Sequence, residues 1–213
     1  MVRGEQRPFA TVVMTMCFYL AAAGSAAAED KDAGSFLVSL SQRTIAELSD
    51  QSIGDAERQQ RFRDLLEANF DMRAIGRFVL GVYARGADPS EQAAFLSTFK
   101  EVLAQRFLPY FRDYRGEAFA IDEVKADPTN PKLSLVISSI TLENGNKLPV
   151  GWRIRQANGG FKIIDVVAEG VSLAITFRSE YTSVLKRSNG DLPGLTADLR
   201  AKLASGGFTP ERD

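Results

Sequence analysis

Leu148-Pro149-Val150-Gly151-Trp152-Arg153-Ile154-Arg155 decides the fold: Leu148, Val150, Trp152 and Ile154 take one parity, and Pro149, Gly151, Arg153 and Arg155 the other. Side chains on a strand alternate between faces, so this run makes a strand with one apolar and one partly wet face. Segments 117–125, 132–142 and 161–168 are also short and β-rich. Turn chemistry at Asp127-Pro128-Thr129-Asn130-Pro131, Asn144-Gly145-Asn146 and Asn158-Gly159-Gly160 separates them from each other and from 147–156. Four such segments in succession predict an antiparallel meander. Leu133, Leu135 and Ile137 are candidates for the face of Trp152, with the register left open.

The flanking sequence is helical. A first helix over 35–51 carries Phe36, Leu40, Ile45 and Leu48 as an apolar stripe, and a second over 56–69, capped by Asp55, turns Phe62, Leu65 and Leu66 inward. A short third helix follows Asp71 and stops at Gly81. Asp88-Pro89-Ser90-Glu91 combines an N-cap, a first-turn proline and a capping-box Glu, the strongest local signal in the chain. The helix it starts repeats Phe95, Phe99, Leu103, Phe107 and Phe111 at spacing four, and Pro109 is expected to kink or end it near Leu108. Helices over 172–187, with Leu173, Phe177, Tyr181 and Val184, and over 195–203 complete the pattern. So aromatic a row needs a broad apolar partner, and the sheet supplies it. The expected fold is α+β: a curved antiparallel sheet of four strands, or slightly more, wrapped by about six helices.

Composition narrows the chemistry. The 213 residues contain no histidine, which excludes Ser-His-Asp and Cys-His catalysis and the common His-containing zinc sites. With 26 basic and 27 acidic residues, the formal charge of −1 gives no electrostatic reason to expect nucleic acid as a partner. The N-terminus reads as an address label: a mildly basic start through Arg7, an apolar run from about Phe9 to Ala23, and small residues ending in Ala26-Ala27-Ala28. The apolar run is shorter than the roughly 20 residues a membrane span needs. Residues 1–28 are therefore expected to be a cleaved signal peptide, with an uncleaved membrane anchor as the competing reading, leaving 29–213 as a single domain. Cleavage would remove Arg3, Arg7, Glu5 and the only cysteine, Cys17, taking the formal charge from −1 to −2.

Candidate chemistry is thin. Asp165 and Glu169, four apart at a strand end, read either as a general base in an apolar setting or as structural acids bonded to backbone or arginine. Ser172 lacks the Gly-x-Ser-x-Gly elbow and reads as an N-cap. No cluster has metal-ligand spacing, and no glycine-rich loop opens a helix to cradle phosphate. Arg73, Arg77 and Arg85 fit a lipid phosphate, an acidic partner or a plain solvated face. On the residues alone the apolar rows read first as packed core and only second as a pocket wall.

Three stretches carry a family resemblance. Phe70-Asp71-Met72-Arg73-Ala74-Ile75-Gly76-Arg77-Phe78-Val79-Leu80-Gly81-Val82-Tyr83 resembles the helix signature of the MlaC family, also called the toluene-tolerance Ttg2 family. The helix from Pro89 to Phe107 is similar to that family's proline-led segment with phenylalanines at spacing four. Most specific is Trp152-Arg153-Ile154 with Gly160 through Leu173, containing Asp165-Val166-Val167-Ala168-Glu169-Gly170-Val171-Ser172-Leu173, followed by Arg178-Ser179-Glu180-Tyr181. The likeness spans roughly residues 36 to 203. It departs at Tyr181, where Phe is frequent, and in the two prolines of the loop at 125–132.

The resemblance implies a periplasmic carrier, not an enzyme, with a lipid cavity between sheet and helices and bound phospholipid as cargo in place of a cofactor. It also implies partners: an outer-membrane lipoprotein complex and an inner-membrane ABC transporter with an MCE-domain subunit, between which lipid is shuttled to maintain outer-membrane asymmetry. On this reading Phe99, Val102, Leu103, Phe107, Val150, Trp152, Ile154, Val171 and Phe177 line the cavity, and Tyr83 and Arg77 stand at its mouth. The competing readings are a carrier of hopanoids or other lipids within the same family, a small cone-fold enzyme using Asp165, and a non-carrier adaptor with a fully packed interior.

Overall fold

The computed structural model describes residues 32–114, 116–141, 145–157 and 159–210. The expected signal peptide and Cys17 lie outside the described residues. Helix α1, Ala33–Leu48, starts where the Asp32 carboxylate accepts the Ser35 amide at 2.8 Å. Helix α2, Asp55–Asn69, begins one residue earlier than its sequence suggests. Gly54 holds the cap position without a side-chain bond, and Asp55 and Glu57 face the helix's positive end instead. Between the two helices Arg58, only 3% exposed, donates to the carbonyls of Leu48, Asp50 and Ile53.

Helix α3, Met72–Leu80, is capped by Asp71 and stops at Gly81, whose φ of +61° suits glycine. A tight 3-10 turn, Gly81–Arg85, leads to α4, Pro89–Arg112, which has the full capping box of Asp88 and Glu91. This helix does not stop near Leu108. Pro109 sits in its last turn, where a missing amide forfeits one bond, to the Gln105 carbonyl, and the chain continues helical to Arg112.

Strands β1 (Ala118–Ala126), β2 (Leu133–Thr141), β3 (Lys147–Ala157), β4 (Gly160–Ala168) and the two-residue β5 (Val171–Ser172) form one antiparallel sheet in chain order. Helices α5 (Leu173–Arg187) and α6 (Leu192–Ala204) follow. The start of α6 repeats the chemistry of α4: Asp191 accepts the Gly194 amide at 2.9 Å and Pro193 lies in the first turn.

The β2–β3 register corrects one expectation. Val136 pairs with Trp152, Ser138 with Val150 and Ile154 with Ser134, so these share a face; Leu135 and Ile137 pair with Arg153 and Gly151, and Leu133 with Arg155, on the other. Residues 133–137 are apolar on both parities, so alternation could not choose, and a slip of one residue exchanges the faces. The helices cover the Trp152 face. Val136, Ile154 and Ile163 are fully buried there, and α1 lies so close that a Cβ on Gly34 would stand 3.1 Å from Val124 of β1. The β4 edge is closed by β5 and by Phe70, which bridges Ile163, while the Asp71 amide donates to the Ile163 carbonyl at 2.9 Å. Close backbone approaches to the sheet come from α1, α2, α3 and α5, whereas α4 packs chiefly on other helices.

Candidate functional site

The interior holds two kinds of apolar side chain. One set is closed. Phe95 stacks on Phe99 at 5.7 Å, Phe99 meets Phe177 edge-on at 5.1 Å, and Tyr181 completes the cluster between α4 and α5. The other set is half-buried although it packs against the same core: Leu103 and Phe107 on α4, Phe119 and Ile121 on β1, Trp152 on β3 and Val166 on β4. The register puts Phe119, Ile121, Trp152 and Val166 on the helix-covered face. Close-packed cores shut such residues off from water. Here these six remain partly exposed.

The Trp152 indole and the Ser138 hydroxyl on this face are satisfied within the sheet. Trp152 Nε1 donates to Ser138 Oγ at 2.9 Å, and Ser138 Oγ donates to the Val150 carbonyl at 3.1 Å. Of the residues read from sequence as lining, Val150 and Ile154 flank Trp152 on this face, and Leu103 and Phe107 belong to the half-buried set. Phe99, Val102 and Phe177 lie in the closed set behind it. Val171 is 57% exposed on β5. The Tyr83 ring packs toward Gly190, and Arg77 is exposed in a groove of about 640 Å³ between α3 and α4, beside Arg73 and the Glu67–Lys100 ion pair. Phe119, Ile121 and Val166 were not singled out in the sequence, though the spacing of Phe119 and Ile121 carries the signal.

Asp165 does structural work. Asp165 is buried and accepts from Ser172 Oγ at 2.6 Å and from the Ala174 amide at 3.0 Å, with Arg153 at 3.7 Å. Ser172 caps α5 by accepting the Ile175 amide at 3.1 Å. Among the described residues no group of acidic, histidine or cysteine side chains could hold a metal ion, and no helix is long and apolar enough to cross a membrane. Burial, reinforced by the neighbouring Glu180 charge and opposed by Arg106, pushes the Tyr181 hydroxyl well above the usual tyrosine range.

Among the described residues, an open five-stranded antiparallel sheet packed with six α-helices defines the class: an α+β protein whose sheet is left unclosed. More narrowly, the chain belongs to the MlaC protein family, whose model matches residues 39–201. It is 27% identical over 123 residues to the toluene tolerance protein ttg2D of Pseudomonas putida, covering 57% of this chain and 56% of that protein. It is 23% identical over 124 residues to the intermembrane phospholipid transport system binding protein MlaC of Haemophilus influenzae, covering 57% of this chain and 58% of that one. The matched stretch thus spans little more than half the length of these relatives. A phospholipid-binding protein from Ralstonia solanacearum, solved with a phospholipid, has the same fold, with a TM-score of 0.71 at 19% identity, covering 83% of this chain and 99% of that one.

Proposed function

We propose that this chain is a periplasmic phospholipid carrier, exported by a cleaved signal peptide at 1–28, that moves lipid between an outer-membrane lipoprotein complex and an inner-membrane MCE-domain ABC transporter and so maintains outer-membrane lipid asymmetry. The observation that carries the reading is the half-buried band of Leu103, Phe107, Phe119, Ile121, Trp152 and Val166 on the inside of the fold. Family membership and the phospholipid-bound relative support it. Two acyl chains of about 15 methylenes each carry about 24 kcal/mol of transfer free energy at about 0.8 kcal/mol per methylene. Unaided passage through water is therefore negligible, and a carrier has to shield both tails. Shielding needs an apolar wall and no nucleophile, metal or histidine. The competing base role for Asp165 has no support in the geometry, because both carboxylate oxygens are engaged in holding the start of α5.

The test is mass spectrometry of organic extracts from protein purified from its native host. Phospholipid in stoichiometric amount is the expected result. An extract rich in hopanoid instead would reassign the cargo within the carrier reading, and an extract with no lipid above background would overturn that reading.

A further inference from the structure

A second groove, of about 400 Å³, lies where the C-terminal part of α4 meets α5 and the segment after α6. Its volume falls in the roughly 300–1,000 Å³ range of small-molecule sites. Arg106, Phe107 and Tyr110 of α4, Glu180 of α5, and Lys202 and Phe208 form its walls. Its far wall is fastened in place: Gln105 Nε2 donates to the Leu203 carbonyl at 2.9 Å, and the Phe208 amide donates to Gln105 Oε1 at 3.0 Å. The two cations are positioned by rings rather than by anions. The Arg106 guanidinium lies 5.6 Å from the Phe177 ring centre, and Lys202 Nζ lies 4.7 Å from that of Phe208. Among the described residues neither cation has a carboxylate partner, and Glu180 has no cationic one. Two positive charges and one negative charge, none paired with an opposite charge among the described residues, therefore share one groove.

Phe107 belongs both to this groove and to the half-buried apolar band, one helical turn from Leu103. A molecule anchored in the groove would therefore have the Phe107 ring within reach of its apolar part. We infer that the groove holds the cargo's headgroup and favours a zwitterionic phosphate–ammonium headgroup over a purely anionic one, with phosphate at Arg106 and Lys202 and ammonium at Glu180. The inference rests on the carrier reading. A headgroup with phosphate alone satisfies the cations but meets the Glu180 carboxylate uncompensated. The ammonium of an amino-phospholipid removes that repulsion and pairs the acid.

The protein is incubated with vesicles of equimolar phosphatidylethanolamine and phosphatidylglycerol bearing identical acyl chains, re-isolated, and its bound lipid quantified by mass spectrometry. Wild type is expected to take up phosphatidylethanolamine about threefold in excess at low salt, the scale of a half-exposed ion pair, with the excess shrinking as salt is raised. Glu180→Gln brings the bound ratio to that of the vesicles, and Arg106→Gln with Lys202→Gln lowers uptake of both lipids. A melting curve checks that each variant is folded. If the arginine–lysine pair variant is not, the exposed Glu180→Gln decides by itself. Wild-type uptake at the vesicle ratio, or a Glu180→Gln variant that keeps the wild-type excess, overturns the headgroup assignment and leaves the carrier reading standing. Uptake of neither lipid by wild type overturns both.

Discussion

Removing one oxygen from the helix cluster, by Tyr181→Phe, should make the protein more stable. Tyr181 is 4% exposed, and its ring centre lies 5.8 Å from those of Phe95 and Phe177 and 6.0 Å from that of Phe99. Its hydroxyl is buried with no hydrogen-bond partner. A buried, unsatisfied polar group costs about 1–3 kcal/mol. Phenylalanine keeps every ring contact and leaves a void only one oxygen wide, so the net expectation is a gain of about 1 kcal/mol. With an m-value of about 2 kcal/mol per molar urea, the unfolding midpoint rises by about 0.5 M at unchanged m. The alkaline limb supplies a second reading. The folded-state value of the hydroxyl is raised, chiefly by burial, above its ordinary value of 10.0. The folded protein therefore holds that proton more tightly than the unfolded chain. Its contribution is intact below about pH 10 and is lost as pH rises beyond it, by up to about 1.4 kcal/mol per pH unit. Tyr181→Phe should remove this part of the alkaline loss, measured as the difference between the two proteins' urea midpoints at pH 8 and pH 11. Destabilisation by 1 kcal/mol or more would refute the reasoning, because it would mean the hydroxyl holds a partner. Repeating the titration with lipid removed and restored tells whether that partner is the cargo.

Further expectations concern the wall and its supports. Leu103→Glu places a charge in the apolar band and should abolish co-purification of lipid while secretion continues; extracts with wild-type lipid content would move the wall elsewhere. Val171→Glu changes an exposed position and should shift stability by no more than about 0.5 kcal/mol, read from a urea midpoint. Ser138→Ala deprives Trp152 Nε1 of its acceptor and should cost about 1–2 kcal/mol, and an unchanged midpoint would show that the indole finds another. Asp165→Ala removes the acceptor for Ser172 Oγ and the Ala174 amide and should destabilise by about 2 kcal/mol, with lipid uptake by the folded fraction preserved.

Local chemistry was the part of the fold most legible in the sequence. The start of α4 follows from Asp88, Pro89 and Glu91 because a cap is settled within four residues, and β3 follows from strict alternation around Trp152. The same cap-and-proline signature at Asp191 and Pro193 announces α6, but the apolar stripe from Leu195 drew the expected start three residues too late. Register was not legible, because Leu133 to Ile137 are apolar on both parities and only the pairing with β3 assigns a face. The interior was legible to the same degree. Spacing of four groups Phe99, Leu103 and Phe107 on α4, but whether such a residue is closed, like Phe99, or half-open, like Leu103, depends on where α5 and the strands come to lie. Arg58 under the end of α1, and Arg106 beside Lys202, depend on meetings between separate elements that leave no periodic trace.

The two margins of the sheet are unequal. The β4 side is fastened by β5 and the Phe70 bridge, while the outer margin of β1 pairs with no described strand and is interrupted by a bulge between Ile121 and Glu123, beside the charged Glu123 and Lys125. Charge and bulge discourage a neighbouring molecule from adding a strand there. The backbone of β1 is thus the least fenced-in of the sheet, and amide exchange should be fastest in that strand.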